Sequence, residues 1–342
     1  MTAVFCENTA DRKAETWEKR LTPLDRLEFA VSDAAQGIAK AVAGIAAARR
    51  DDPSAPALEH GLDLFHTAMQ ANRVLARHWR GAEAAWEEAE AAEVEVARSR
   101  RQGVDARGVA GAARAAWGQA IASFEHAERL GSAWGRCHAA LELFDPAGRL
   151  KDRPRAAAEI AAALKGLTGP EWSKVRNFLN DPRSVSFLDR MHRRLESVEP
   201  RPEWREAMAW RWWLRHGRVP ASDRLIRLVR VVGRDRELNE SERASFDRVS
   251  AVLRDTFRAS SAVECMNSVL RMQQSRHKRM TQPMLDLRRL YWNSYPFRSG
   301  PRKDACPYQA LGLKLPSFDF WTLLRIDPEK LTQRLSTARN RE

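Results

Sequence analysis

The stretch 25–48, DRLEFAVSDAAQGIAKAVAGIAAA, decides how this chain is read. Leu27, Phe29 and Val31 alternate with Glu28, Ala30 and Ser32, the period of a strand. The Ala-rich run beginning near Ser32 then takes the 3.6-residue period of a helix. Asp33 sits at the junction, just past the strand and just before the helix. Open α/β sheets place their chemistry at such carboxyl ends. Upstream, TAVFC (residues 2–6) is short and β-prone, and TADRKAETWEKRL (9–21) reads as a helix with Thr9 as a cap. The order strand, helix, strand, helix over the first 50 residues predicts parallel pairing.

Outward from this piece the pattern changes to helix throughout. RRDDPSAP (49–56) is a loop, and ALEHGLDLFHTAMQANRVL (57–75) is a short apolar piece running into a helix. One long helix is predicted from about 65 to 101 and a second from about 106 to 143, joined by QGVDARG, which makes a coiled helical hairpin. FDPAGRLKDRP (144–154) closes it, and shorter helices follow at about 154–166, 170–180, 183–198 and 201–216, each punctuated by Pro or Gly. No strand pattern interrupts the block from 67 to 239. In MAWRWWLRHG (208–217), Trp210, Trp212 and Trp213 are expected as helix-packing core plus one amphipathic surface ring rather than as a base-stacking platform.

The 342 residues carry a net charge of +13. Residues 1–146 hold 18 Lys+Arg against 22 Asp+Glu, a net of −4, which leaves +17 for residues 147–342. The basic half is nearly all arginine, whose planar fork suits phosphate, so a polyanion is the first partner suggested. The four cysteines, Cys6, Cys137, Cys265 and Cys306, form no CxxC pair and suggest neither a zinc site nor a disulfide framework, which fits a reducing cytoplasm. No apolar run reaches the roughly 18 residues of a membrane span, and the start lacks a secretory layout, so a cytoplasmic protein without membrane contact is expected.

Past the helical block, SSAVECMNSVLR (260–271) places Ala262, Val263, Met266, Val269 and Leu270 on one helix side. Glu264, Asn267, Ser268 and Arg271 line the other at i, i+3, i+4, i+7. On these residues alone, a solvated acid in a first helical turn explains Glu264. The chain contains none of the phosphate-loop, dinucleotide, HExxH or GxSxG motifs. What remains is a set of carboxylates at strand and helix ends: Asp33, Asp63 with His66 three residues on, and Glu264.

Three segments in order, LEFAVSDAAQGIAKAV (27–42), LDLFHT (62–67) and the run from RASSAVECMNSVLR (258–271) through LYWNSYPFR (290–298) to PYQALGL (307–313), resemble the catalytic region of bacterial insertion-sequence DDE transposases. The resemblance covers roughly residues 1–80 and 250–315. It implies an incomplete ribonuclease H-like domain interrupted by a large all-helical insertion: 1–66 as its first part, 67–239 as the insertion, 240–315 as its second part, and 316–342 as a tail. It also implies that Asp33 and Glu264 are the second and third acids, holding Mg²⁺ (or Mn²⁺) for phosphodiester cleavage and strand transfer at transposon ends. Asp63 and His66 match an auxiliary Asp-x-x-His element, although an N-cap role suffices for Asp63 and a backbone-bonded histidine for His66. Asn267 accompanies the Glu helix, and Arg271, Lys278 and Arg279 would contact DNA phosphate. Trp292 could stack a base, with core packing as the alternative.

The partners implied are transposon-end and target DNA, bound by a homo-oligomer, with a nucleoid-associated location when on DNA. The pattern departs in one respect. The resembled family carries its first Asp on a strand well upstream of the second, whereas only 32 residues precede Asp33 here. Asp11 and Asp25 fall in helix or loop positions. The first two strands are therefore expected to be missing and the chain inactive in transposition, with a DNA-binding or oligomerising remnant, or a helical scaffold, as alternatives.

Overall fold

A computed structural model describes residues 11, 13–32, 35–52, 55–216, 237–256, 281–298, 303–310 and 312–327. They are mostly helical, with one two-stranded parallel sheet. The chain divides into two compact units, one of residues 17–260 and one of residues 1–16 with 261–342.

The larger unit begins with the end of α1 (Ala14–Leu21), followed by β1 (Phe29–Ser32), α2 (Gln36–Arg50) and β2 (Glu59–Leu62). The strands run parallel with Phe29 opposite Glu59, Ala30 opposite His60, Val31 opposite Gly61 and Ser32 opposite Leu62. β2 lies in the segment expected only as an apolar lead-in to a helix. Glu-His-Gly-Leu has no β-branched residue, so its pairing comes from tertiary context rather than local preference. Gly61 is required by packing, because a Cβ there would stand 2.6 Å from the Phe29 ring. α2 covers the sheet through Val42 and Ile45, which cluster with Leu58, Leu27 and Ala30. Arg49 fastens the strand's approach by donating to the carbonyls of Leu24 (2.7 Å) and Leu27 (2.6 Å). TAVFC lies outside the described residues.

The predicted hairpin is α3 (Leu64–Arg101) and α4 (Arg107–Ala140). At 1.5 Å per residue α3 is about 57 Å long. Ala82, Ala89 and Val96 on α3 and Ala113, Ala120 and Ala127 on α4 are buried at seven-residue intervals, so the seam is made chiefly of methyl groups. Gly103 turns the tip with φ 71°. Toward the base, Trp134 is buried and donates its indole N–H to Asn72 Oδ1 at 3.1 Å.

α4 ends three residues earlier than expected, because residues 141–151 form a turn closed by an antiparallel bridge between Phe144 and Leu150. Asp145, 1% exposed, accepts from the backbone N–H of Ala147 and Arg149 and from the side chains of Arg149 and Arg155. Gly148 (φ 80°) completes the turn against Trp213.

Four helices follow: α5 (Arg153–Leu164) and α6 (Ser173–Asn180) pack on the hairpin base, α7 (Ser186–Val198) packs on α5, and α8 (Pro202–His216) packs on α7. Their starts follow the punctuation read in the sequence. Asp152 caps α5 and Asp181 caps a short 3₁₀ turn, each with Pro in the first turn, where its missing N–H costs nothing. Trp213 is buried, Trp212 stacks on Phe144 at 5.7 Å and Trp210 is 38% exposed, the division into core and surface ring expected of them.

α9 (Glu240–Arg254) is capped by a reciprocal Asn239–Glu242 box. It packs on α7 and α8 through Phe246, Val249, Val252 and Leu253. The expected boundary at 239/240 therefore falls inside this unit: the helix assigned to the second catalytic part is joined to the helical block. Glu199, fully buried at the α7–α8 corner, fixes the joint by accepting from Arg201, Ser245 and Arg248.

In the smaller unit, α10 (Gln282–Ser294) contacts α11 (Pro307–Ala310) and α12 (Phe320–Leu324). Leu285 and Cys306 are buried there, Tyr291 meets Phe320 edge-on at 5.3 Å, and Trp292 is half-buried. Among the described residues no helix is long and apolar enough to cross a membrane.

Candidate functional site

The described chemistry gathers at the carboxyl ends of β1 and β2. Asp63 follows β2 directly, and its N–H continues the ladder by donating to the Ser32 carbonyl at 2.8 Å. Its carboxylate is fully buried and divided between two tasks. One oxygen accepts from the Phe65 N–H at 3.0 Å and caps α3; the other meets His66 Nδ1 at 2.5 Å. His66 is thus held by a carboxylate, with its imidazole 35% exposed. Because both Asp63 oxygens are engaged, this carboxylate fits a positioning role better than that of a metal ligand.

A second cluster beside it was not legible in the sequence. Ser32 Oγ lies 2.8 Å from His60 Nε2, and His60 Nδ1 lies 3.2 Å from Arg183 Nη1. Arg183 is in turn bound through two nitrogens to Asp181. A guanidinium can only donate, so Nδ1 accepts, Nε2 carries the proton, and the imidazole donates to Ser32. That order is opposite to the one that activates a serine nucleophile, in which the histidine takes the hydroxyl proton. Burial first, and then the Arg183 charge, hold His60 below its ordinary pKa, against an opposing pull from Asp181, so the ring stays neutral near pH 7. The cluster locks the short 3₁₀ turn at Pro182–Val185 to the strand ends. Arg190 over the Phe29 ring (4.4 Å) and the Arg193–Glu59 ion pair do the same for α7.

Of the residues singled out from the sequence, the structure brings Asp63 and His66 together and places Trp292, half-buried, on α10. Asp33, Glu264, Asn267, Arg271, Lys278 and Arg279 lie outside the described residues. Ser32, immediately before Asp33, ends β1 opposite Leu62, which immediately precedes Asp63. Among the described residues no group of three or more His, Cys, Asp or Glu side chains is arranged to hold a metal ion. The chain matches no protein-family model, no curated protein and no solved structure.

Proposed function

We propose that this chain carries the Asp33 and Glu264 part of a DDE-type DNA transposase site, the complete enzyme acting on transposon ends and target DNA as a homo-oligomer. Asp33 and Glu264 are its Mg²⁺- or Mn²⁺-holding acids in an interrupted ribonuclease H-like domain. The observation that carries the reading is the parallel β1–α2–β2 piece: Asp33 follows the last residue of β1, and Asp63 with His66 follows the last residue of β2, immediately before the large helical block. Open parallel sheets bind and react at that end. The metal would supply Lewis-acid activation of a phosphodiester. Around it, Asp63 orients His66 beside the scissile strand, Asn267 accompanies Glu264, and Arg271, Lys278 and Arg279 neutralise DNA phosphates, with Trp292 as a stacking surface.

Ferrous ion in place of Mg²⁺, with ascorbate, tests the site directly. Hydroxyl radicals should cut the backbone near residues 33 and 264 together, and excess Mg²⁺, Asp33→Asn or Glu264→Gln should suppress both cuts. Cleavage confined to one segment, or unaffected by either variant, would sink the assignment.

A second reading, a self-associating helical scaffold, is favoured by the flank of the α3–α4 hairpin. There Trp86, Ile121 and Phe124 are 40%, 50% and 44% exposed, and Trp86 meets Trp117 edge-on at 5.0 Å. It predicts concentration-dependent association in sedimentation with no salt-sensitive DNA binding.

A further inference from the structure

At the base of the hairpin, α4 and the loop that follows α5 enclose a cleft of about 330 Å³. Its polar lining is His126, Arg129, Ser132 and Arg136 from α4 and Thr168 from the loop, and no carboxylate lines it. His126, Arg129, Ser132 and Arg136 recur at three- and four-residue steps, which puts them along one side of α4. Gly166 brings the loop close: a Cβ there would stand 2.8 Å from Ala133 Cβ and 3.3 Å from Arg136 Nη2. The loop is held in place by Leu167, 1% exposed, and by Arg176, which donates to the carbonyls of Leu167 (2.7 Å) and Gly169 (2.8 Å). The cleft is therefore formed in advance rather than assembled around a ligand.

The two arginines are poorly neutralised. Arg136 donates to Ser132 Oγ at 2.9 Å and makes no ion pair with a carboxylate among the described residues. Arg129 has Glu125 at 3.5 Å, a pair in which both side chains are about two-thirds exposed. Such a pair contributes little and exchanges readily for a better anion. Two guanidinium groups, two hydroxyls and an imidazole around a small concave site match the donors a tetrahedral oxyanion accepts from.

We propose that the cleft formed by Arg129, Arg136, His126, Ser132 and Thr168 is a phosphate-binding site. The phosphate is either free or part of a nucleic-acid backbone. The site belongs to the helical block alone and does not rest on the transposase reading.

The test uses the full chain, titrated with sodium phosphate against sodium chloride at matched ionic strength and followed by amide NMR. Saturable shifts are expected at residues 126–136 and 165–169, with apparent affinity at least about ten-fold weaker in the Arg129→Gln/Arg136→Gln double variant. Both side chains are exposed, so the variant should melt with the parent protein, and the Arg107→Gln/Arg114→Gln double variant, at exposed positions toward the hairpin tip, serves as a charge-matched control. A second arm measures binding to a 20-base-pair duplex across a salt series. If the phosphate is a DNA backbone group, the double variant lowers the salt slope by about 1 to 2. If the ligand is free phosphate, the double variant loses the phosphate response and keeps its DNA binding. Absence of saturable shifts at the cleft, or shifts equal in the double variant, overturns the proposal.

Discussion

Neutralising Glu199 should loosen the attachment of α9, and the loss should itself depend on pH. The Glu199 carboxylate is fully buried, and its hydrogen bonds come from Arg201 (2.8 and 3.0 Å) in the α7–α8 corner and from Ser245 (2.6 Å) and Arg248 (3.0 Å) on α9. The Arg201 hydrogen bond is the largest influence and outweighs burial, so the pKa falls from 4.5 to about 2. A drop of that size corresponds to roughly 3 kcal/mol at about 1.4 kcal/mol per unit. Arg201 and Arg248 are about half exposed, and solvent screening reduces the figure to about 2 kcal/mol.

Since the folded-state pKa is depressed, this stability is fully present above pH 4.5 and is lost as pH falls toward 2. Glu199→Gln keeps the shape and removes the charge. Urea unfolding followed by tryptophan fluorescence should show the variant about 2 kcal/mol less stable at pH 7, with the gap closing between pH 4.5 and 2. An equal gap at pH 7 and pH 2.5, or none at pH 7, would refute the reasoning.

Gly61→Ala should cost about 1–3 kcal/mol in urea unfolding, because its Cβ would stand 2.6 Å from the Phe29 ring between paired strands. Gly148→Ala should cost at least about 2 kcal/mol in the same assay, combining a φ of 80° with a Cβ 2.4 Å from Trp213. Asp63→Asn should keep the α3 cap and change stability by no more than about 1 kcal/mol, while Asp63→Ala should cost about 1–2 kcal/mol. The Cys137 thiol, fully buried and pushed up to about 11 by burial, should resist a thiol-reactive disulfide reagent in the folded protein and react on unfolding.

The helical block was readable because its signals are local. The prolines and glycines that punctuate the shorter helices, and QGVDARG between the two long ones, act within a few residues of where they stand in the chain. β2 was not readable as a strand: Glu59 to Leu62 carry no strand preference, and only the pairing with β1 holds them extended. The Ser32–His60–Arg183–Asp181 cluster joins residues 28 and 123 positions apart, a separation no local pattern reports. The periodicity of residues 240–254 defined α9 but not its partner, which depends on Phe246 and Val249 meeting α7 and α8 and on Ser245 and Arg248 reaching Glu199. At the candidate site, Asp63 caps α3 and His66 stands in its first turn, a local relation that the three-residue spacing carries. That both carboxylate oxygens are consumed there emerged only from the fold.

The methyl-lined seam of α3 and α4 has a mechanical consequence. Alanine at every seventh position lets two helix backbones approach more closely than leucine would, and a close-packed pair resists bending and sliding as a single beam. A force applied at the Gly103 turn is then delivered to the Trp134 end with little lost in flexure. Enlarging one methyl midway, as in Ala120→Leu, inserts a wedge whose small local separation is magnified toward the tip by the length of the arms beyond it. The stiffness of this arm therefore resides in its smallest side chains.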